Sequence, residues 1–143
     1  VAAPAEAVWE VLADGWLYAS WVVGASRVRD VDQSWPGAGA RLHHSVGVWP
    51  ALLSDTTEVE LAEPPHHLVL TPHGGPFGSA RVDITIVPDG PGTCTVTIAE
   101  DAISGLGKLV PMPARQVGVI HRNREALGRL ALLAEGRHRD GHA

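Results

Sequence analysis

Two adjacent histidines, His43 and His44, sit in "ARLHHSVGVWP" (residues 40–50), a stretch whose apolar residues otherwise alternate. Imidazole is the side chain that changes charge near neutral pH, so a histidine held among apolar residues is a candidate general base or hydrogen-bonding anchor. Successive side chains of a strand point to opposite faces. Leu42, His44, Val46 and Val48 therefore share one face, and Arg41, His43, Ser45 and Gly47 share the other. The apolar set must be the buried one, which turns His44 inward and His43 outward. The two histidines are then not a unit and cannot ligate one ion together. No HxH or CxxC spacing occurs, so no metal site and no cofactor is expected. The same test turns His66 inward with Leu68 and Leu70, and leaves His67 beside Val69 and Thr71.

Other candidates follow from the same periodicities. In residues 94–100, Cys94, Val96, Ile98 and Glu100 share a face; in 80–87, Ala80, Val82, Ile84 and Ile86 do; in 56–62, Val59 and Leu61 do. Near the C-terminus, at about 100° per residue, Met112, Ile120, Leu127, Leu130, Ala131 and Ala134 cluster, with Gln116 and Asn123 among them. Arg122, Glu125 and Arg129 fall opposite, and His121 lies off the apolar face. Four polar side chains, His44, Glu100, Gln116 and Asn123, thus point into an aliphatic interior. A buried polar group without a partner costs about 1–3 kcal/mol, so each needs a residue, a water or a ligand. Apolar walls with a few convergent polar groups describe a small-molecule pocket. Plainer readings stay open: a satisfied core histidine at His44, a solvent-reaching strand end at Glu100, and a bond from Asn123 to the sheet backbone.

The elements that must position these groups are legible in outline. "APAEAVWEVLAD" (3–14) carries a helical face, with Pro4 suited to its first turn, and "GWLYASWVVG" (15–24) suits a second short helix. Six period-two segments follow, at 26–32, 40–48, 56–62, 66–71, 80–87 and 94–100, separated by "WPGAG", "AEPP", "PHGGPFG" and "PDGPG". Connections this short make neighbouring strands antiparallel. After the Gly- and Pro-rich loop 104–113 comes one long helix, from about Pro113 to Glu135, leaving 136–143 as a tail. A sheet with one apolar face needs a cover, and the last helix is the only sizeable one. The expectation is a single α+β domain over 1–143, with a curved antiparallel sheet wrapped around a long C-terminal α-helix and two short helices near the N-terminus.

Bulk properties narrow the partners. Eleven Lys plus Arg against sixteen Asp plus Glu give the 143 residues a formal net charge of −5, which argues against nucleic acid or an anionic membrane. No apolar run is long enough to insert stably in a membrane. The single cysteine, Cys94, excludes an internal disulfide and points to the cytoplasm. No GxSxG elbow or P-loop is present. Composition does not address the oligomeric state.

"APAEAVWEVLAD", the "PGAGARLHH" turn and strand, "EPPHHLVL", "GPGTCTVTIAED" and "RNREALGRLALLAE" together, in order over the whole chain, resemble the polyketide cyclase/dehydrase and lipid-transport (SRPBCC, START-like, Bet v 1-like) superfamily, in its small single-domain bacterial members. The resemblance implies a helix-grip fold of seven strands around the last helix, with an apolar cavity between them. Only six strands are read here, so it places a first strand just before Val1. It also implies that the loop 104–113, with Leu106, Leu109, Val110 and Met112, borders the cavity mouth, where a lid would sit. The expected function is binding of a lipid-like or polyketide-like hydrophobic small molecule. Its walls would be Leu42, Val46, Val48, Val59, Leu61, Leu70, Ile84, Val96, Ile98, Met112, Gln116, Ile120 and Asn123. The alternative is a polyketide cyclase, aromatase or dehydratase in the same cavity. His44 would be its base, Glu100 its orienting group or acid, and Gln116 or Asn123 would hold a carbonyl oxygen. An interaction module is the remaining reading, and an exposed cluster of Trp35 and Trp49 would mark it.

Overall fold

A computed structural model describes residues 1–74 and 78–141, with the side chains at 106 and 107 outside the description. Two helices, α1 (Ala5–Ala13) and α2 (Tyr18–Trp21), are linked by a 3₁₀ turn at Gly15–Leu17. Six strands follow: β1 (Ala25–Val31), β2 (Arg41–Val48), β3 (Ala51–Glu63), β4 (His67–His73), β5 (Ala80–Gly90) and β6 (Thr93–Ala102). A 3₁₀ turn (Leu106–Leu109) then leads into α3 (Met112–Asp140). All six strands form one antiparallel sheet in the order β1-β2-β3-β4-β5-β6, so sequence neighbours are spatial neighbours. Among the described residues this is the helix-grip architecture.

The core shows why these residues make these elements. Val8, Val11 and Leu12 of α1 are fully buried against the inward sides of the strands, from Leu42, Val59, Leu68, Leu70, Ile84 and Ile86. From the other side, Ala126, Leu130 and Ala134 of α3 close the same core. The small residues let α3 come close to α1, and Arg137 fastens the two by a 2.8 Å ion pair to Asp14. The N-terminal half of α3 is different. Val117 and Ile120 are exposed, and no residue before Ala126 is fully buried. That half stands off the sheet.

Several expectations are corrected. The β3 strand begins at Ala51, five residues before the expected start, because β2 and β3 form one tight hairpin in which Val48 pairs with Ala51. Gly47 makes that hairpin possible: its φ is +104°, and a Cβ there would lie 2.5 Å from the Ala51 carbonyl oxygen. A bulge between Val59 and Leu61 reverses the alternation. Leu61 consequently pairs with Val69 on the convex side, while Ala62 joins Leu68 and packs on the core. His66 precedes β4 and is exposed instead of turning inward. The helix α3 continues to Asp140, so 136–140 are helical and not a tail.

Candidate functional site

Where α3 stands away from the sheet, a cavity of about 820 Å³ opens between it, α2 and the concave face of β2 to β6. Its aliphatic wall includes Val46, Leu70, Val82 and Ile98, and its outer lip includes Val110 and Met112. Polar groups enter at two places.

The inner group centres on His44, which is buried. Its Nε2 lies 3.0 Å from Thr57 Oγ1, and Thr57 Oγ1 lies 3.0 Å from Tyr18 Oη. Asp55 faces His44 in the β2–β3 register, with Oδ2 3.5 Å from Nε2. The other Asp55 oxygen accepts from the Thr56 backbone N–H at 2.7 Å. The Tyr18 and His44 rings are 4.9 Å apart, and Tyr18 meets Trp21 edge-on at 5.6 Å. Arg29 Nη2 donates to the backbone carbonyls of both His44 and Asp55, at 3.2 and 3.3 Å, and so clamps the two strands at this point. His44 Nδ1 is buried with no hydrogen-bond partner.

Burial decides the protonation states here. It lowers the His44 pKa from 6.5 to about 4, with Arg29 and His43 pushing the same way and the Ser45 backbone opposing. Burial also raises Asp55, against the Thr56 N–H, and pushes Tyr18 up to about 12. At neutral pH His44 is therefore an uncharged imidazole.

The outer group joins β6 to α3. Glu100 points into the cavity and accepts from Arg122 Nη2. Helical periodicity turns Arg122 to solvent, yet its side chain is half-buried and reaches around the helix to this carboxylate. Its long aliphatic stem permits that reach. Gln116 and Asn123 line the same wall.

Placed residue by residue, the sequence expectations divide. His44, Glu100, Val46, Leu70, Ile98, Met112, Gln116 and Asn123 border the cavity. Leu42, Val59, Ile84 and Val96 pack in the core beneath it. Val48, Leu61 and Ile120 stand elsewhere: Val48 is 81% exposed at the hairpin tip, Leu61 is on the convex face, and Ile120 is 59% exposed on α3. His44 and Glu100 share the cavity without hydrogen-bonding each other, since each is engaged by other partners. Tyr18, Asp55, Thr57 and Arg122 are the residues that sequence reasoning missed. The signal for two of them is in the hairpin: pairing 48 with 51 sets Asp55 opposite His44 and Thr57 two residues further along the same face. Trp49 is exposed, but Trp35 packs on the core and donates Nε1–H to the Leu12 carbonyl at 3.1 Å, so the two do not form an exposed cluster. Among the described residues no group of three or more His, Cys, Asp or Glu could hold a metal ion. Nor is any described helix long and apolar enough to cross a membrane.

A six-stranded antiparallel sheet gripping a long C-terminal helix, with a cavity between, defines the START-like class. The chain belongs to the family described as polyketide cyclase / dehydrase and lipid transport, whose sequence profile matches residues 1–135. Solved structures share the fold. A conserved protein from Geobacillus kaustophilus superposes with a TM-score of 0.71 at 16% identity, covering 96% of this chain and 92% of that one. A START superfamily protein from Mycobacterium smegmatis gives 0.67 at 22% identity, over 98% and 92%. The di-domain ARO/CYC StfQ from the steffimycin biosynthetic pathway gives 0.69 at 12% identity, over 96% of this chain and 48% of that one. A search of curated proteins finds no match.

Proposed function

We infer that the protein binds a hydrophobic small molecule, lipid-like or polyketide-like, in the cavity between the sheet and α3. The observation that carries this is the 820 Å³ space itself, walled by aliphatic side chains and left open by the stand-off of the N-terminal half of α3. Val46, Leu70, Ile98 and Met112 supply apolar surface, while Gln116, Asn123 and the Glu100–Arg122 pair supply orientation at the rim. The net charge of −5 favours a neutral or cationic partner over nucleic acid. The lone cysteine, buried and unpaired, suits a reducing cytoplasm. Native mass spectrometry of the purified protein, followed by denaturing extraction, tests this reading. A stoichiometric apolar molecule is expected, and Val46→Trp should expel it. Retained binding in that variant would overturn the placement.

A second reading, an aromatase/cyclase or dehydratase, is favoured by one specific observation. His44 is a neutral imidazole on the cavity wall with a carboxylate 3.5 Å from its Nε2, the pairing that a general base uses, and its buried Nδ1 would meet a substrate only once the ring turns toward the cavity. In this reading the orienting role expected of Glu100 passes to Asp55, and Gln116 or Asn123 holds a carbonyl oxygen. Recovery of a cyclised or dehydrated molecule would favour the enzyme over the carrier.

A further inference from the structure

The end of the sheet at which the cavity opens carries an exposed apolar surface. Antiparallel pairing brings the β2–β3 turn, the start of β5 and the end of β6 to this one end. Val46 and Leu53, partners across the β2–β3 hairpin, line the cavity. Beyond them the tip projects, with Val48 and Trp49 each 81% exposed and Leu52 and Leu53 also open to solvent. Across the opening, Val110 and Met112 line the cavity as well, and together with Leu109 they are exposed. The cavity mouth thus has two apolar lips. Residues 45–54 hold no charged side chain and 102–112 hold only Lys108, so a chain with a net charge of −5 keeps its acids off both.

We propose that the two lips dock on the interface of a lipid bilayer, setting the cavity mouth against the membrane so that an apolar molecule passes between the two without crossing water. The docking itself stands on exposure and charge; the passage of a molecule rests on the reading of the cavity as a ligand site. Exposed apolar patches mark contacts with proteins or membranes, and three observations favour the membrane. The lips flank the mouth, so a protein seated on both would plug the cavity, whereas a bilayer can supply or accept its contents. Trp49 heads the tip, and an indole, apolar with one N–H, suits the headgroup boundary. Lys108 can meet lipid phosphates, and the lips bring no carboxylate that docking would strip of water. The contact is peripheral, because a hairpin tip is far too short to span a bilayer.

Phosphatidylcholine vesicles are the probe, read by co-sedimentation and by quenching of tryptophan fluorescence with brominated phosphatidylcholine. The wild type should bind at low and high salt alike and should be quenched. Trp49→Ser should bind about tenfold more weakly, the scale of one large apolar side chain returned to water, and should lose the quenching. Leu109→Ser, on the other lip, should also bind more weakly. Trp16, 60% exposed, borders a recess with Asp14 and Asp32 beyond the opposite end of β1, and Trp16→Ser should behave as the wild type does. Val46→Trp, which fills the cavity, should still dock, so a failure of the cavity reading leaves vesicle binding untouched. Absence of vesicle binding in the wild type overturns the proposal, as does undiminished binding of Trp49→Ser or an equal loss in Trp16→Ser. Self-association that Trp49→Ser abolishes, without vesicle binding, overturns it in favour of a second copy of the chain.

Discussion

Asp55 faces His44 across the β2–β3 ladder, with its Oδ2 3.5 Å from Nε2 and both side chains buried. Burial acts on them in opposite senses, lowering the histidine and raising the acid, so the environment resists a full ion pair. The two residues are instead tied together through Arg29, which donates to both of their backbone carbonyls.

Acid should therefore destabilise the fold earlier than ordinary carboxylate titration does. The unfolded His44 takes a proton near pH 6.5, whereas the folded one does so only near pH 4. Between these values the unfolded state binds more protons, so stability falls as pH drops through the window. The full cost, reached below pH 4, is on the order of 3 kcal/mol. Asp55, raised above its usual value, binds a proton earlier in the folded state and offsets part of this loss toward the acid end. Urea denaturation at intervals between pH 7 and 4.5 should show the decline, and His44→Asn should flatten it. An equal decline in that variant would assign the effect to other groups.

Thr57 is fully buried and its hydroxyl touches both Tyr18 Oη and His44 Nε2 at 3.0 Å. Thr57→Val keeps the shape and the strand preference but leaves two buried polar groups without their shared partner. A loss of about 1–3 kcal/mol is expected in chemical denaturation. A neutral result would mean that water replaces the hydroxyl.

Two glycines should respond in opposite directions. Gly47→Ala places a Cβ 2.5 Å from the Ala51 carbonyl oxygen at a φ of +104°, and should cost about 1–3 kcal/mol. Gly128, inside α3, has open space around the position of a Cβ. There, Gly128→Ala should gain about 0.5–1 kcal/mol from helix propensity. Thermal unfolding of the pair against the wild type checks both signs.

The sheet, the long helix and the inward turn of His44 are legible in the sequence because each rests on sustained periodicity. What escapes has local causes. The run "ALLSD" at 51–55 alternates poorly, and its Ser and Asp resemble turn residues, so the first part of β3 is hidden and the partners of His44 with it. The bulge after Val59 adds one residue and sends Leu61 to the convex face, where strict alternation puts it inward. Ile120 fits the apolar stripe of α3 but is 59% exposed, because in this half the helix turns Gln116, Val119 and Asn123 toward the cavity and Ile120 away from it. Arg122 escapes because a helical wheel records where a side chain starts and not how far it reaches.

The uneven seating of α3 makes it a lever. Its fulcrum lies near Ala126, the first fully buried position, and the load-carrying arm runs about 20 Å from there to Met112 at 1.5 Å per residue. A tilt of roughly five degrees about that point moves Met112 by about 2 Å, which over this arm is enough to widen or narrow the cavity mouth appreciably. Leu130 and Ala134 seat the short arm in the core, while the Arg122–Glu100 and Arg115–Asp101 ion pairs tether the long one to β6.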